Sequence, residues 1–426
     1  MNTQVIITLC IMAFMVVMLL TRLLPYGITG MICCTAFVLF GIADIPTAFS
    51  GFSNSTTLMV VGMIVVATQL SKTSIVRRLR GFMEKMQGKG TMVVMLTYFV
   101  VTIILSQLMG QVACISIMMI FLQTLDEDSD LAPAPMLFVV ATLNTMWTSK
   151  IPFAMGATMP GTINSFFEGV APDYAIGITD YFKAAFIPGV LGVIYCILFY
   201  KLIPKSQFKK ENVKGVKEVA ELKPAQEMIV FAVFIAIMAA FFLSKVVPKN
   251  IQNILPIAGV LIFLITGVTT VAEVTPVLTG DIIFLIAGMS AVSTILGKTG
   301  VGELIGQGVL KLLGGHPAPI LVITVFCLVT SVMTNFLSNM GTMALMIPIA
   351  ASTALAGGFN VQTVVVVTAV SAWMAYVLPT GCAGSMLGFG TGNYSVGQTI
   401  KFTLPLYILQ VVSLIVSASI LFPIYD

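Results

Sequence analysis

The chain has 426 residues, of which 58% are hydrophobic and 9% charged, with a formal net charge of +4. A soluble domain carries about 25% charged residues to cover its surface, so a water-soluble globular protein is excluded. The small positive charge follows membrane topology, and no nucleic-acid partner is expected.

Apolar runs of about 20 residues, each able to cross a ~30 Å hydrocarbon core, recur along the whole chain. The first, Val5 to Leu20, has no basic residue before it and no small-residue cleavage site after it, which reads as a retained helix and not a signal peptide. Scaffold helices are expected at 4–23, 26–42 and 56–71. The segment 73–89, TSIVRRLRGFMEKMQGK, alternates basic and apolar residues at helical spacing and should lie flat on the inner leaflet, in contact with lipid. A helical hairpin over 92–125, a broken helix over 134–168 and a closing helix over 182–203 follow, then a basic linker at 204–225. Scaffold helices return at 226–244, 252–272 and 280–296, with an interfacial segment at 298–314. A second hairpin over 318–352, a second broken helix over 361–390 and a closing helix over 402–424 complete the chain. The expected fold is an all-α polytopic membrane protein of ten spanning helices and two re-entrant hairpins.

Orientation follows from lysine and arginine in the short loops. A cytoplasmic linker puts Arg22, the Lys72–Lys89 cluster, Lys201 to Lys223 and Lys401 inside, 15 basic residues against five outside (Lys183, Lys245, Lys249, Lys298, Lys311). Both termini then face out of a cell inner membrane.

Internal similarity is legible. Gly62-Met63 precedes Lys72-Thr73 in GMIVVATQLSKT as Gly288-Met289 precedes Lys298-Thr299 in GMSAVSTILGKT, an offset of 226. The hairpin cores LSQLMGQVACISIMM at Leu105 and MTNFLSNMGTMALMI at Met333 correspond at 228, and DYAIGIT at Asp173 answers NYSVGQT at Asn393 at 220. Five spanning helices per repeat is an odd number, so residues 1–203 and 226–426 are expected to form two inverted repeats, with the site where they meet near the midplane.

Irregular backbone at membrane depth lines a cavity or is buried in protein. Four stretches qualify: the tips Ser106–Ala113 and Thr334–Thr342, and the breaks Ser149–Gly161 and Pro379–Gly392. Helix N-termini aimed into such a cavity offer N–H donors to an anion, and freed carbonyls can hold a cation.

The order of scaffold helices, SKT/GKT segment, hairpin, broken helix and closing helix resembles the divalent anion–sodium symporter family of the wider ion-transporter superfamily. The resemblance implies a Ser-Asn-Thr motif at each tip and a Thr-Pro-Pro-Asn-like motif in each break. Here the second tip reads Ser338-Asn339-Met340 with Thr334 one turn earlier. The first tip reads Gly110-Gln111-Val112 with Ser106 upstream, and the breaks read Thr158-Met159-Pro160-Gly161 and Cys382-Ala383-Gly384-Ser385. By resemblance, Gln111, Val112, Thr158, Ser338, Asn339, Met340, Thr342, Cys382 and Ala383 are substrate-binding candidates. Ser106, Gly110, Thr334, Leu337, Asn339 and Gly381 are sodium-binding candidates in the same sense. No other cofactor is expected. The resemblance further implies a small anionic substrate, di- or tricarboxylate first and an inorganic oxyanion (sulfate, phosphate, arsenite) as the alternative, carried by an elevator motion within a homodimer, as symport or exchange.

Lys150 is the one ionisable residue expected at membrane depth, a costly placement and a functional hypothesis by default. The 17 acids fall in loops or at helix ends, so an anionic ligand would supply its partner, and Lys150 joins the substrate-binding candidates. A cation antiporter, which needs a titrating carboxylate in its cavity, is disfavoured. A membrane-embedded enzyme needs a metal cluster or a nucleophile–base pair. The only histidine, His316, lies in a Gly-Gly-His-Pro loop, and Val292 stands where a P-loop before Gly297-Lys298-Thr299 would need glycine. A channel or scaffold would not need two hairpins of opposite orientation. The seven cysteines show no metal-ligand spacing, so most read as buried small hydrophobes, with Cys382 set apart by its place in the second break.

Overall fold

A computed structural model of the protein describes residues 3–86, 88–122, 125, 131–203, 222–243, 246–423 and 425. Most of the basic linker (204–221), Lys245 and the acidic stretch 126–130 lie outside the described residues. Helices dominate, and the one β contact among the described residues is an isolated bridge between Phe359 and Tyr425.

The first half contains α1 (Thr3–Thr21), α2 (Tyr26–Leu39), α3 (Ile45–Ala48), α4 (Ser55–Ser71), α5 (Ile75–Met86), α6 (Thr91–Leu108), α7 (Gln111–Leu122), α8 (Pro133–Trp147), α9 (Met159–Phe167) and α10 (Asp180–Phe199). The second contains α11 (Pro224–Phe242), α12 (Lys249–Ile265), α13 (Val271–Leu278), α14 (Asp281–Thr299), α15 (Val301–Leu312), α16 (Pro319–Met333), α17 (Asn339–Gly357), α18 (Val361–Ser371), α19 (Ala383–Gly392) and α20 (Val396–Leu421). Element for element, the second half follows the order of the first.

Start and stop residues explain the boundaries. Proline at the first helical position, where no N–H is needed, opens α8, α11 and α16. Side chains of Asn54, Ser338 and Asn360 accept backbone N–H groups at the starts of α4, α17 and α18. Left-handed Gly300 ends α14 and left-handed Gly358 ends α17.

Seven described helices are long and apolar enough to cross a membrane, or eight if α4 and α5, bent by 46°, count as one span. Others of the ten expected spans are apolar helices of 10–17 residues, α2, α12 and α18 among them. Helix α2 has 14 residues and α12 has 17, and each is followed by a short helix, α3 or α13, absent from the sequence reading. These shorter helices are held between longer ones by close backbone approach. Helix α2 runs alongside α14 in the same direction: the Gly27 N–H donates to Asp281 Oδ1 at 2.8 Å, and a Cβ on Gly30 would lie 3.4 Å from the Gly288 backbone. Helix α4 runs alongside α12 likewise, with Asn253 Nδ2 donating to Ser55 Oγ at 2.9 Å and Gly62 against the Pro256 backbone. Gly30 and Pro256, and Gly62 and Gly288, are each 226 residues apart, so the two contacts are equivalent under the sequence repeat. Helices α10 and α20 close the structure, tied by Tyr195 Oη donating to the Phe402 carbonyl at 2.9 Å and by Gln410 Nε2 donating to the Pro188 carbonyl.

Helix α5 carries Arg77, Arg78, Arg80 and Lys85 on a strongly amphipathic helix that buries only Met83. Its counterpart α15 is packed along α17, where Gly306 meets the Ser352 backbone.

Candidate anion site at the hairpin tips and helix breaks

Each hairpin tip is fastened from behind to the break in its own half by one amide side chain. In the first half, Gln107 Nε2 donates to the carbonyls of Trp147 (2.6 Å) and Ile103 (3.1 Å), while its Oε1 accepts the Ile151 N–H at 3.1 Å. In the second, Asn335 Nδ2 donates to the carbonyls of Ser331 (2.8 Å) and Met374 (3.0 Å), and its Oδ1 accepts the N–H groups of Val377 (3.1 Å) and Leu378 (3.2 Å). These bonds satisfy backbone groups that an interrupted helix leaves free, which is what makes the interruption tolerable in a buried place. The sequence reading missed both residues. Their signal was present, since Gln107 and Asn335 occupy one column of the aligned hairpin cores.

The second break also differs from its expected bounds. The irregular stretch is 372–382, and Gly384–Gly392, expected to belong to the break, is helical as part of α19. Cys382 starts that helix by accepting the Ser385 N–H on its sulfur at 3.3 Å. The glycines then let α19 lie on α8: a Cβ on Gly388 would sit 2.6 Å from Ala141, and one on Gly384 would sit 3.1 Å from Asn144 Nδ2 and 3.4 Å from Gln111 Cβ. Close packing outweighs glycine's poor helix propensity of about 1 kcal/mol per residue. In the first half Gly161, expected in the break, is likewise inside α9.

One cluster thus forms where the second break meets the first tip. Thr145 Oγ1 lies 3.3 Å from Cys382 Sγ, Asn144 Nδ2 donates to the Gln111 carbonyl at 3.2 Å, and Ala383 and Gly384 begin α19 beside them. Asn144 and Thr145 went unnoticed in sequence, as a polar pair within an apolar helix. A second cluster forms at the second tip. Thr334 Oγ1 lies 3.0 Å from Asn339 Oδ1 and 2.5 Å from the Ala372 carbonyl. The loop 372–382 joins the clusters, because Thr380 donates to the Asn335 carbonyl at 2.7 Å and Ser385 to the Ala375 carbonyl at 2.8 Å.

Other candidates are placed differently. The Ser338 hydroxyl oxygen is occupied as the cap of α17, accepting the Gly341 N–H at 3.0 Å. Ser106 Oγ donates to the Ile103 carbonyl at 2.8 Å and accepts Gln107 Nε2 at 2.8 Å, so it is used inside its own hairpin. Thr158 Oγ1 donates to the Met155 carbonyl at 2.7 Å in a 3₁₀ turn (Ala154–Thr158) packed on α4 and α6, away from both clusters. Gly110 and Val112 are exposed at the first tip, Met340 is half-buried at the second, and Leu337 and Gly381 flank the second cluster through backbone only.

The groups left over define the chemistry. Lys150, 3% exposed, forms no ion pair or side-chain hydrogen bond among the described residues. Asn339, 5% exposed, uses its oxygen but donates its amide to nothing described. Gln111 Nε2 and Thr342 Oγ1 are buried without partners. All four groups are donors, contributed by both tips and the first break, and unmet buried donors cost about 1–3 kcal/mol each, more when charged. Such a set suits an anion. For a sodium ion the second tip fits better than the first: Thr334, Asn339 and the Ala372 carbonyl bring three oxygens together, whereas Gly110 brings no side-chain oxygen. No group of three His, Cys, Asp or Glu able to hold a metal occurs among the described residues.

Glu168 lies at a helix end, as read from sequence, where it caps α9, and its side chain reaches Asn54 Nδ2 and, at 3.2 Å, Ser290 Oγ in the middle of α14. A carboxylate does therefore approach the centre of a candidate span, though no contact joins it to either cluster.

A family model described as a citrate transporter matches residues 15–381. The transporter YfbS of Escherichia coli (strain K12) is 28% identical over 211 residues, 49% of this chain but only 33% of that protein. The sodium-dependent dicarboxylate transporter SdcS of Staphylococcus aureus (strain USA300) is 24% identical over 420 residues, 89% of this chain and 78% of that protein. Among solved structures, the YdaH transporter of Alcanivorax borkumensis shares the fold, with a TM-score of 0.59 at 12% identity over 87% of this chain and 86% of that one. The apolar helices, the family match and these likenesses together identify a multi-pass membrane transporter and not an enzyme: the chain belongs to the citrate transporter family.

Proposed function

We propose that the protein is a secondary active transporter of a small organic anion, a di- or tricarboxylate, bound between the hairpin tips and the helix breaks. The observation that carries this reading is the set of unmet buried donors Lys150, Asn339, Gln111 and Thr342. The names of the family and of SdcS point to the same substrate class.

Two inverted repeats, 1–203 and 226–426, underlie the site. Parallel packing of α2 with α14 and of α4 with α12 supports inversion, because the equivalent helices of two repeats in the same orientation would cross antiparallel. Transport proceeds by an elevator motion in which hairpins and broken helices move against the scaffold helices, in a homodimer of the inner membrane with termini outside and the linker inside. Lys72 paired with Glu273 at 2.9 Å, and Ser74 bonded to Glu227, gather positions assigned to the inner side, as Glu168 near Lys249 gathers positions assigned to the outer side. Sodium, where it couples, binds at the second tip through Thr334 and Asn339. At the first tip the Lys150 ammonium does the electrostatic work of the missing ion.

Reconstituted liposomes test the reading. Uptake of labelled di- or tricarboxylate, weakly dependent on exchange of sodium for choline, is the expected result. Transport confined to sulfate, phosphate or arsenite would replace the substrate class, and a strict cooperative sodium requirement would remove the role given to Lys150.

A further inference from the structure

Apart from the tips, one cavity of about 320 Å³ opens between α9 on one side and the helices α4, α11 and α12 on the other. Its walls are mainly apolar, with the buried side chains of Met59, Ile176 and Phe241, and also include Thr56, Asn164 and Gln252. Two polar groups stand in it with capacity to spare. Asn253, 7% exposed, donates its amide to Ser55, and its oxygen accepts nothing among the described residues. Lys249, exposed at the start of α12, forms no ion pair among the described residues. Glu168 lies near enough to interact with Lys249 electrostatically, but its carboxylate is engaged by Asn54 and Ser290. A concave apolar space of a few hundred Å³ with a few polar groups at one end is the general form of a small-molecule site.

We propose that this cavity is a second binding site, for an amphipathic monocarboxylate whose headgroup meets Lys249 and whose alkyl chain lies along Met59, Ile176 and Phe241. Lys249 is the single cation in the lining, so a second carboxylate has no charge to pair with, and the transported di- or tricarboxylate is disfavoured here. The site joins α9, from the first broken helix, to helices α4, α11 and α12. An occupant bridges these elements and, on the elevator reading on which this consequence rests, slows transport without competing with substrate.

Decanoate is the probe, with decanol as the uncharged control and succinate as the dianionic one. The purified full chain in lipid nanodiscs should show a saturable rise in unfolding temperature with decanoate and none with decanol or succinate at matched concentration. Lys249→Gln removes the charge from an exposed position, and Ala175→Trp fills the mouth of the cavity from another. Each should weaken the apparent affinity by roughly tenfold or more while the ligand-free unfolding temperature stays near wild type. In liposomes the same decanoate range should lower the maximal uptake rate with KM unchanged, and less so in both variants. Absence of saturable stabilisation, or equal stabilisation of both variants, overturns the site. Lys249-dependent binding with unaltered uptake keeps the site and instead refutes the sliding of α9 over its neighbours.

Discussion

The two hairpin tips share a frame and differ at the mouth. Behind each, an amide (Gln107 or Asn335) binds a carbonyl at or just past the end of the half-helix before the break and an N–H of the break. In front, the second tip is closed: Ser338 caps α17, Thr334 reaches Asn339 and Ala372, and the turn is tied to the start of α2. There Arg22 donates to the Phe336 carbonyl at 2.7 Å, and the Ser338 N–H points at Tyr26 Oη at 3.4 Å. The first tip has Gly110, which has no side chain to cap with, just before α7 and Gln111 with its amide unmet. The conserved geometry of the frame beside the altered mouth teaches that holding a break together and holding a ligand are separate demands, met by different residues of the same turn.

The largest effect should come from the charge that only the first half possesses. Lys150→Met is expected to weaken substrate binding by about 3 kcal/mol, roughly two orders of magnitude, while Lys150→Arg keeps part of it, measured by calorimetry in nanodiscs. Near-normal affinity of the Met variant would mean that the first tip works without a cation.

Asn339→Ala comes next. It removes one donor to a charged ligand, about 1.5–3 kcal/mol or 10- to 100-fold in Kd. Thr334 retains its bond to Ala372, so the unfolding temperature of the ligand-free protein should hardly move. The same substitution at Gln111 sharpens the contrast, since an equal loss there would make the two mouths functionally alike.

Asn335→Ala and Gln107→Ala test the shared frame. Each strands buried backbone groups of a break, at about 1–3 kcal/mol per group, so both should lower thermal stability. Asn335 should matter more, because it serves two N–H groups where Gln107 serves one. A stability loss without this ranking would show that the breaks are held by packing alone.

Gly110→Ser rebuilds the second tip's cap in the first. With open space around Gly110 the side chain meets no obstacle, and stabilisation of a few tenths of a kcal/mol is expected by denaturant unfolding. The smallest effect concerns the Lys72–Glu273 pair. Hydrogen bonds from Lys72 and then Thr269 hold the Glu273 carboxyl below its ordinary range. Its contribution is thus present above the unfolded-state value and lost as pH falls through the lowered one. The pair is partly exposed, so Lys72→Met should change stability by less than ~1 kcal/mol near neutral pH.

Sequence alone determined the membrane class, the order of elements and the existence of two hairpins and two interrupted helices. These follow from hydropathy, charge placement and Gly/Pro punctuation, which are local properties read along the chain. It also singled out Lys150 and Asn339, because a charge in an apolar segment and a polar tip motif are conspicuous without coordinates. The tertiary structure decided what local patterns cannot carry. The glycine-rich stretch after Cys382 is a helix because α8 is there to receive it, and α2 lies close against α14 because Gly30 and Gly288 put no Cβ between them. Ser338 and Ser106 spend their hydroxyls on nearby backbone, while Gln107, Asn335 and Glu168 find partners far along the chain or across a turn. Whether a buried polar group is free for a ligand depends on which neighbours the fold brings within about 3 Å of it, and that is settled only when distant segments meet.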